Sequence, residues 1–238
     1  MFVDESHAAA CSLADSIAYG HSIIVIPDFA ADAECATLLA DAQLACTQEQ
    51  PHHAKDHFGR VRMPTQRLAA RSQRVSDVLL LRALDLLDAE LPKLTTVLFG
   101  RPLAPELRAE AQTPGELCTS SPKLAFLKHM PSVTVYNAGG QFSPHQDQKA
   151  LTVLMPLVDE AAFEGGGTAF WSLDRVPTAL GDTPPSLVLK PAPGTAFLFG
   201  GNLTHAGQPV TNGQRAVYVA AFSRASEIEW RPDAPGGS

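Results

Sequence analysis

The chain has 238 residues, 45% of them hydrophobic, enough to bury one large core, and a single domain over about residues 1–228 is the expectation. A formal net charge of −7 and a pI near 5.6 disfavour a general polyanion binder and so nucleic acid as a partner. The start, Met1-Phe-Val-Asp-Glu-Ser-His7, lacks the basic and apolar segments of a signal peptide, and no apolar run is long enough to cross a bilayer. An intracellular, cytoplasmic protein without membrane contact is therefore expected.

In chain order, residues 1–20 read as a weakly helical leader, and the β-branched run from Ser22 to Pro27 as a strand. Cys35, Leu38, Leu39, Ala42 and Cys46 then recur on one helix face, with Asp32 placed to cap it. Residues 48–62 are polar, contain His52, His53 and His57, and read as a loop. Five arginines stand between residues 60 and 74, and Arg67, Arg71 and Arg74 share helical spacing. A second helix runs from Ser76, with Leu80, Leu84, Leu87 and Leu91 on one side and Pro92 as its stop. Turn chemistry dominates residues 94–122, which read as connection. Cys11, Cys35, Cys46 and Cys118 have no CxxC spacing or histidine pairing, and point to small buried thiols.

From Lys123 the pattern changes to short apolar or alternating runs separated by Gly, Pro, Asn and Asp, the mark of an antiparallel β region. The runs are 132–137, 150–158, 167–171, 186–190, 195–199 and 215–222, and residues 229–238 form a Pro/Gly-rich tail expected to be disordered. One stretch among them carries chemistry. In an extended segment residues i and i+2 face the same way, so His145 and Asp147 can grip one metal while Gln146 points away. With His205 from a nearby strand they make two imidazoles and a carboxylate, the donor set of non-haem Fe(II) sites.

The surrounding motifs resemble the Fe(II)/2-oxoglutarate-dependent oxygenases, and within them the prolyl 4-hydroxylase-like group. Tyr136-Asn-Ala-Gly-Gly-Gln-Phe142-Ser-Pro-His145-Gln-Asp147 is similar to that group's Tyr-x-x-Gly-x-x-Tyr-x-x-His-x-Asp, with Phe142 at the second tyrosine. Phe163-Glu-Gly-Gly-Gly-Thr168-Ala-Phe170 resembles its Phe-x-Gly-Gly-x-Thr-x-Phe, and His205-Ala-Gly-Gln-Pro-Val-Thr-Asn-Gly-Gln-Arg215 its distal segment. The resemblance implies an α+β, mainly β fold: a double-stranded β-helix (jelly roll) core over about 123–223, buttressed by an N-terminal strand and helices over about 20–95.

It further implies that His145, Asp147 and His205 are the Fe(II) ligands and catalytic centre, and that Arg215, Tyr136 and Thr168 bind 2-oxoglutarate. Collagen-type members commonly use lysine where Arg215 stands. The implied reaction couples decarboxylation of 2-oxoglutarate to succinate and CO2, using O2 and supported by ascorbate, to hydroxylation of an unactivated C–H. Desaturation and ring formation use the same core. Retention of Asp147 argues against a halogenase, which needs that coordination position for halide.

The substrate is expected to be a peptidyl residue (prolyl-type) or a small molecule, and two further readings stay open. One is a non-catalytic, cupin-like metal-binding or sensing protein on the same fold; the other is a zinc hydrolase, which leaves Arg215 and Tyr136 without a role. Residues 48–66 and 103–121 are the segments free to roof the site, and Arg60, Arg62 and Trp171 are expected to line its mouth and favour an anionic substrate.

Overall fold

The computed structural model describes residues 12–48, 59–110, 113, 115–179 and 181–225. Cys11, most of the leader, the centre of the 48–66 segment and the 229–238 tail lie outside these. Six α-helices are described: α1 (Leu13–Ala18), α2 (Asp32–Gln48), α3 (Ala70–Glu90), α4 (Pro92–Phe99), α5 (Ala104–Glu110) and α6 (Glu116–Ser120). Thirteen strands accompany them: β1 (Ile24–Ile26), β2 (Arg60–Pro64), β3 (Leu124–Phe126), β4 (Ser132–Tyr136), β5 (Phe142–His145), β6 (Leu151–Pro156), β7 (Phe163–Gly165), β8 (Thr168–Trp171), β9 (Leu187–Leu189), β10 (Ala196–Phe199), β11 (Thr204–Gly207), β12 (Val210–Gly213) and β13 (Arg215–Arg224).

The strands form a major sheet in the order β1-β10-β6-β13-β4-β2, with β3 also on β13, and a minor sheet in the order β5-β11-β8-β9. A two-stranded ribbon joins β12 to β7. All strand pairings among the described residues are antiparallel, and the two larger sheets face one another as a jelly roll. The expected mainly β fold with supporting helices is therefore what the chain adopts.

Every residue of β6 and β13 is buried, because each of these strands is covered on both faces. On the outer face, Ala216, Tyr218, Ala220 and Phe222 join the helices' core, where Leu79, Leu80, Leu84 and Leu87 of α3 supply the apolar stripe. The Ser76 and Tyr218 hydroxyls bond each other at 2.8 Å. Asp77 accepts from the backbone N–H groups of Gly115, Leu117 and Cys118, which ties the start of α6 to α3. The inner face of the same strands looks into the space between the sheets.

Four sequence expectations are corrected here. Residues 60–62, read as the end of a loop, belong to the edge strand β2, held by β4 in register from Arg60 opposite Tyr136 to Pro64 opposite Ser132. Residues 94–122, read as connection, hold most of α4 and all of α5 and α6. Pro92 does not merely end α3: it occupies the first turn of α4, where its missing N–H has no partner to lose. At α2 the side-chain cap is made by Glu34, whose carboxylate accepts from the Ala31 N–H at 2.9 Å, rather than by Asp32.

Candidate metal centre

The site is assembled from the ends of β5 and β11 and the turn after β5. β5 and β11 pair so that His145 lies opposite His205, with ring centroids 4.3 Å apart. The His145 Nδ1 lies 2.9 Å from the Ser143 carbonyl oxygen and the His205 Nδ1 lies 3.0 Å from that of Leu203. A carbonyl oxygen only accepts, so each Nδ1 carries a proton, and in the neutral ring Nε2 keeps its lone pair.

Both Nε2 atoms converge on Asp147, at 3.5 Å from Oδ1 for His145 and 3.7 Å from Oδ2 for His205. Asp147 is buried; Thr152 donates to its Oδ2 at 2.6 Å, while Oδ1 has no hydrogen-bond partner. Two lone pairs aimed at a buried carboxylate repel it unless a cation stands between them. One donor atom from each of the three residues lies within 4.8 Å of the others, so the donor set fits a single divalent ion.

Electrostatics hold these groups in ligating form. Burial is the largest influence on Asp147 and pushes its pKa up, but His205, His145 and the Thr152 hydroxyl outweigh it and keep the carboxyl well below the usual range. Burial, aided by His145, lowers His205 to about 4 against the pull of Asp147, so that ring is neutral at neutral pH.

Further along the same strands lies a second polar group. Thr168 of β8 pairs with Gly207, two residues beyond His205 on β11, which is roughly 7 Å along a strand. Arg215, opposite Tyr136 on β4, donates to the Thr168 hydroxyl at 2.7 Å, and its guanidinium lies 5.1 Å from the Tyr136 ring centre. Burial lowers its pKa, while Tyr136 acts in the opposite sense. No Asp or Glu of the described residues pairs with this buried cation. A side chain at Gly207 would press on Tyr136, since a Cβ there would meet the phenol at 3.1 Å.

A cavity joins the two groups. Its walls are largely apolar, with Met130, Leu154, Val217, Val219 and Phe142 beside the three ligands, Thr168 and Arg215. The structure therefore brings seven of the predicted residues together around the cavity: His145, Asp147, His205, Arg215, Tyr136, Thr168 and Arg62. Arg60 packs behind it, buried, 3.6 Å above the centre of the Phe142 ring, and burial lowers its pKa to about 10.

Trp171 is a correction. On β8 Thr168 and Phe170 face the cavity side, so Ala169 and Trp171 face the other way, where Trp171 is buried against Ala206 and donates to the Thr183 carbonyl at 3.0 Å. Sequence reasoning gave no role to Thr152 or Phe142. Thr152 was detectable as a hydroxyl within an apolar run; nothing in the sequence marks Phe142 as the ring beside which Arg60, Arg62 and His145 meet.

Comparison with known proteins agrees with this geometry. The family model of the 2OG-Fe(II) oxygenase superfamily matches residues 131–223. No curated protein matches the chain by sequence. Among solved structures the fold is similar to SnoN, the non-heme alpha ketoglutarate dependent epimerase from nogalamycin biosynthesis, with TM-score 0.55 and 15% identity over 95% of this chain and 94% of that one. A Pseudomonas putida prolyl-4-hydroxylase gives TM-score 0.52 and 13% identity, covering 89% of this chain and 97% of its own. For the viral collagen prolyl hydroxylase of Paramecium Bursaria Chlorella virus-1 the values are 0.50 and 17%, over 91% and 100%. The candidate ligands His145, Asp147 and His205, with Thr168 and Arg215, all fall within the segment, residues 131–223, that matches the model of the 2OG-Fe(II) oxygenase superfamily.

Proposed function

We propose that this protein is an Fe(II)- and 2-oxoglutarate-dependent dioxygenase that hydroxylates an unactivated C–H of a small molecule or of a peptidyl residue, releasing succinate and CO2. The carrying observation is the convergence of His145 and His205 on Asp147, with the buried Arg215 bonded to Thr168, whose partner Gly207 stands two residues beyond His205. A non-catalytic sensor needs no such second anchor, and a hydrolytic zinc site gives Arg215 no task. SnoN, on a similar fold, has been solved with Fe3+ and alpha ketoglutarate, which supports the same pair of cofactors here.

Bound Fe(II), with 2-oxoglutarate and O2, would supply the oxidising power for C–H cleavage. The chain supplies the rest. His145, Asp147 and His205 would hold the ion on one face and leave the other open. Arg215 would take the far carboxylate through its donor fork, steadied by Thr168 and flanked by Tyr136. Leu154, Val217, Val219 and Met130 keep water from the reacting carbon.

The test is 2-oxoglutarate turnover with Fe(II) and ascorbate, measured as succinate, against a panel of peptides and metabolites. Fe(II)-dependent succinate, raised by one class of compound that gains an oxygen atom, is expected. Absence of any Fe(II)-dependent succinate would contradict the reading.

A further inference from the structure

We propose that the prime substrate is a small organic acid whose carboxylate is held by Arg62 at the mouth of the cavity; this rests on the oxygenase reading above and specifies its substrate class. The mouth is set by topology. The major sheet ends on β2 and the minor sheet on β5, and these two edges lie side by side, since Arg60 and Arg62 of β2 both lie over the Phe142 ring of β5, at 3.6 and 5.3 Å from its centre.

Arg62 is singled out by how the other arginines are used. Arg71, Arg82, Arg101, Arg108 and Arg224 each sit on a carboxylate. Among the described residues Arg62 and Arg215 are in no ion pair, and both line the cavity. The Arg62 Nε is buried with no hydrogen-bond partner. A guanidinium donor withdrawn from water in this way costs free energy until an acceptor arrives. Arg60 lies against the same ring, and an anion between the mouth and Arg62 also offsets that like-charge approach.

The cavity therefore has two cationic places for two carboxylates. Arg215 is taken by the co-substrate, and its position on β13 two residues before Val217 keeps it at the far end. Arg62, opposite Thr134 on β4, is left for the substrate. Asp147 is the one carboxylate among the described lining residues, and it is committed to the metal. Arg62 and His145 both pack on the Phe142 ring, the guanidinium 5.3 Å and the imidazole centre 4.1 Å from its centre. Anion and reacting carbon must then lie within a few bonds of one another. A residue inside a peptide presents amides at that range, whereas a free acid presents a carboxylate, which the guanidinium fork fits.

The experiment uses protein loaded with Mn(II) and saturating 2-oxoglutarate under nitrogen, so that no turnover occurs. Probes are matched pairs of free acids and their primary amides: hexanoic acid and hexanamide, phenylacetic acid and phenylacetamide, and several L-amino acids and their amides. Broadening of probe proton resonances by Mn(II) reports binding beside the metal.

The expected result is that, in at least one pair, the acid broadens at about tenfold lower concentration than the amide, that the preference disappears in Arg62→Ala, and that part of it survives in Arg62→Lys. Thermal melts establish that the variants are folded, and the lysine variant keeps the charge should the alanine variant not fold. Equal broadening of acids and amides throughout, or an acid preference that persists in folded Arg62→Ala, overturns the substrate class while leaving the metal and co-substrate assignment standing. Failure of 2-oxoglutarate to bind the Mn(II) protein overturns both.

Discussion

The two faces of β13 are equally buried and chemically opposite. Outward, Ala216, Tyr218, Ala220 and Phe222 meet the helices, and Phe222 lies between Phe99 and Phe126. The polar groups there close within the chain: Tyr218 on Ser76, and Asp77 on three backbone N–H groups. Inward, Arg215, Val217 and Val219 meet a cavity in which the polar atoms keep unused valence. Asp147 Oδ1 and Arg62 Nε are buried without a hydrogen bond, and the histidine lone pairs face a carboxylate. Buried polar groups left open in this way are costly for folding alone and favourable once a ligand completes them. The outer face therefore carries stability and the inner face carries ligands.

Substitutions that separate these roles test the contrast. The largest effect is expected from His145→Ala, which should abolish Fe(II)-dependent succinate release and bring metal stoichiometry close to zero. Its melting midpoint should stay within about 4 °C of the wild type, roughly 1 kcal/mol for a chain of this size. Near-normal turnover would sink the ligand assignment. Phe222→Ala should behave in the opposite way, losing about 3–5 kcal/mol of stability in denaturant unfolding through the cavity it leaves, with Mn(II) affinity unchanged in the folded protein. Loss of metal affinity in parallel would mean that the two faces are not separable. Tyr218→Phe should cost only about 1–2 kcal/mol, by stranding the buried Ser76 hydroxyl, and leave 2-oxoglutarate turnover as it was.

What could be read from the sequence follows the same division. β6 and β13 are legible as continuous apolar runs of strand length bounded by turn residues, and the His145-x-Asp147 spacing as a period-two pattern. β2 was not, because Arg60-Val-Arg-Met alternates cations with apolar residues and, seen alone, suits a solvated loop; only the distant Phe142 and Tyr136 make burial of those arginines intelligible. The helices α4, α5 and α6 have 8, 7 and 5 residues, too short for a periodic stripe to emerge from turn residues. Trp171 was misplaced for a reason internal to the sequence. If Thr168 faces the cavity, alternation along a strand already sends Trp171 to the other side. The candidate ligand pair His145 and Asp147 was legible because its spacing is local, whereas the mouth was not because β2 and β5 meet only in the fold.

The most direct measurement is calorimetric titration of 2-oxoglutarate into the Mn(II)-loaded wild type and Arg215→Ala, with pyruvate, which keeps the chelating end but lacks the far carboxylate, as the comparison. Losing one partner of a buried charge pair costs about 2–5 kcal/mol, so the variant should bind 2-oxoglutarate at least roughly thirtyfold more weakly, and about as weakly as the wild type binds pyruvate. Equal affinity for 2-oxoglutarate in the wild type and in folded Arg215→Ala would contradict the account, because the buried guanidinium would then have no carboxylate to hold.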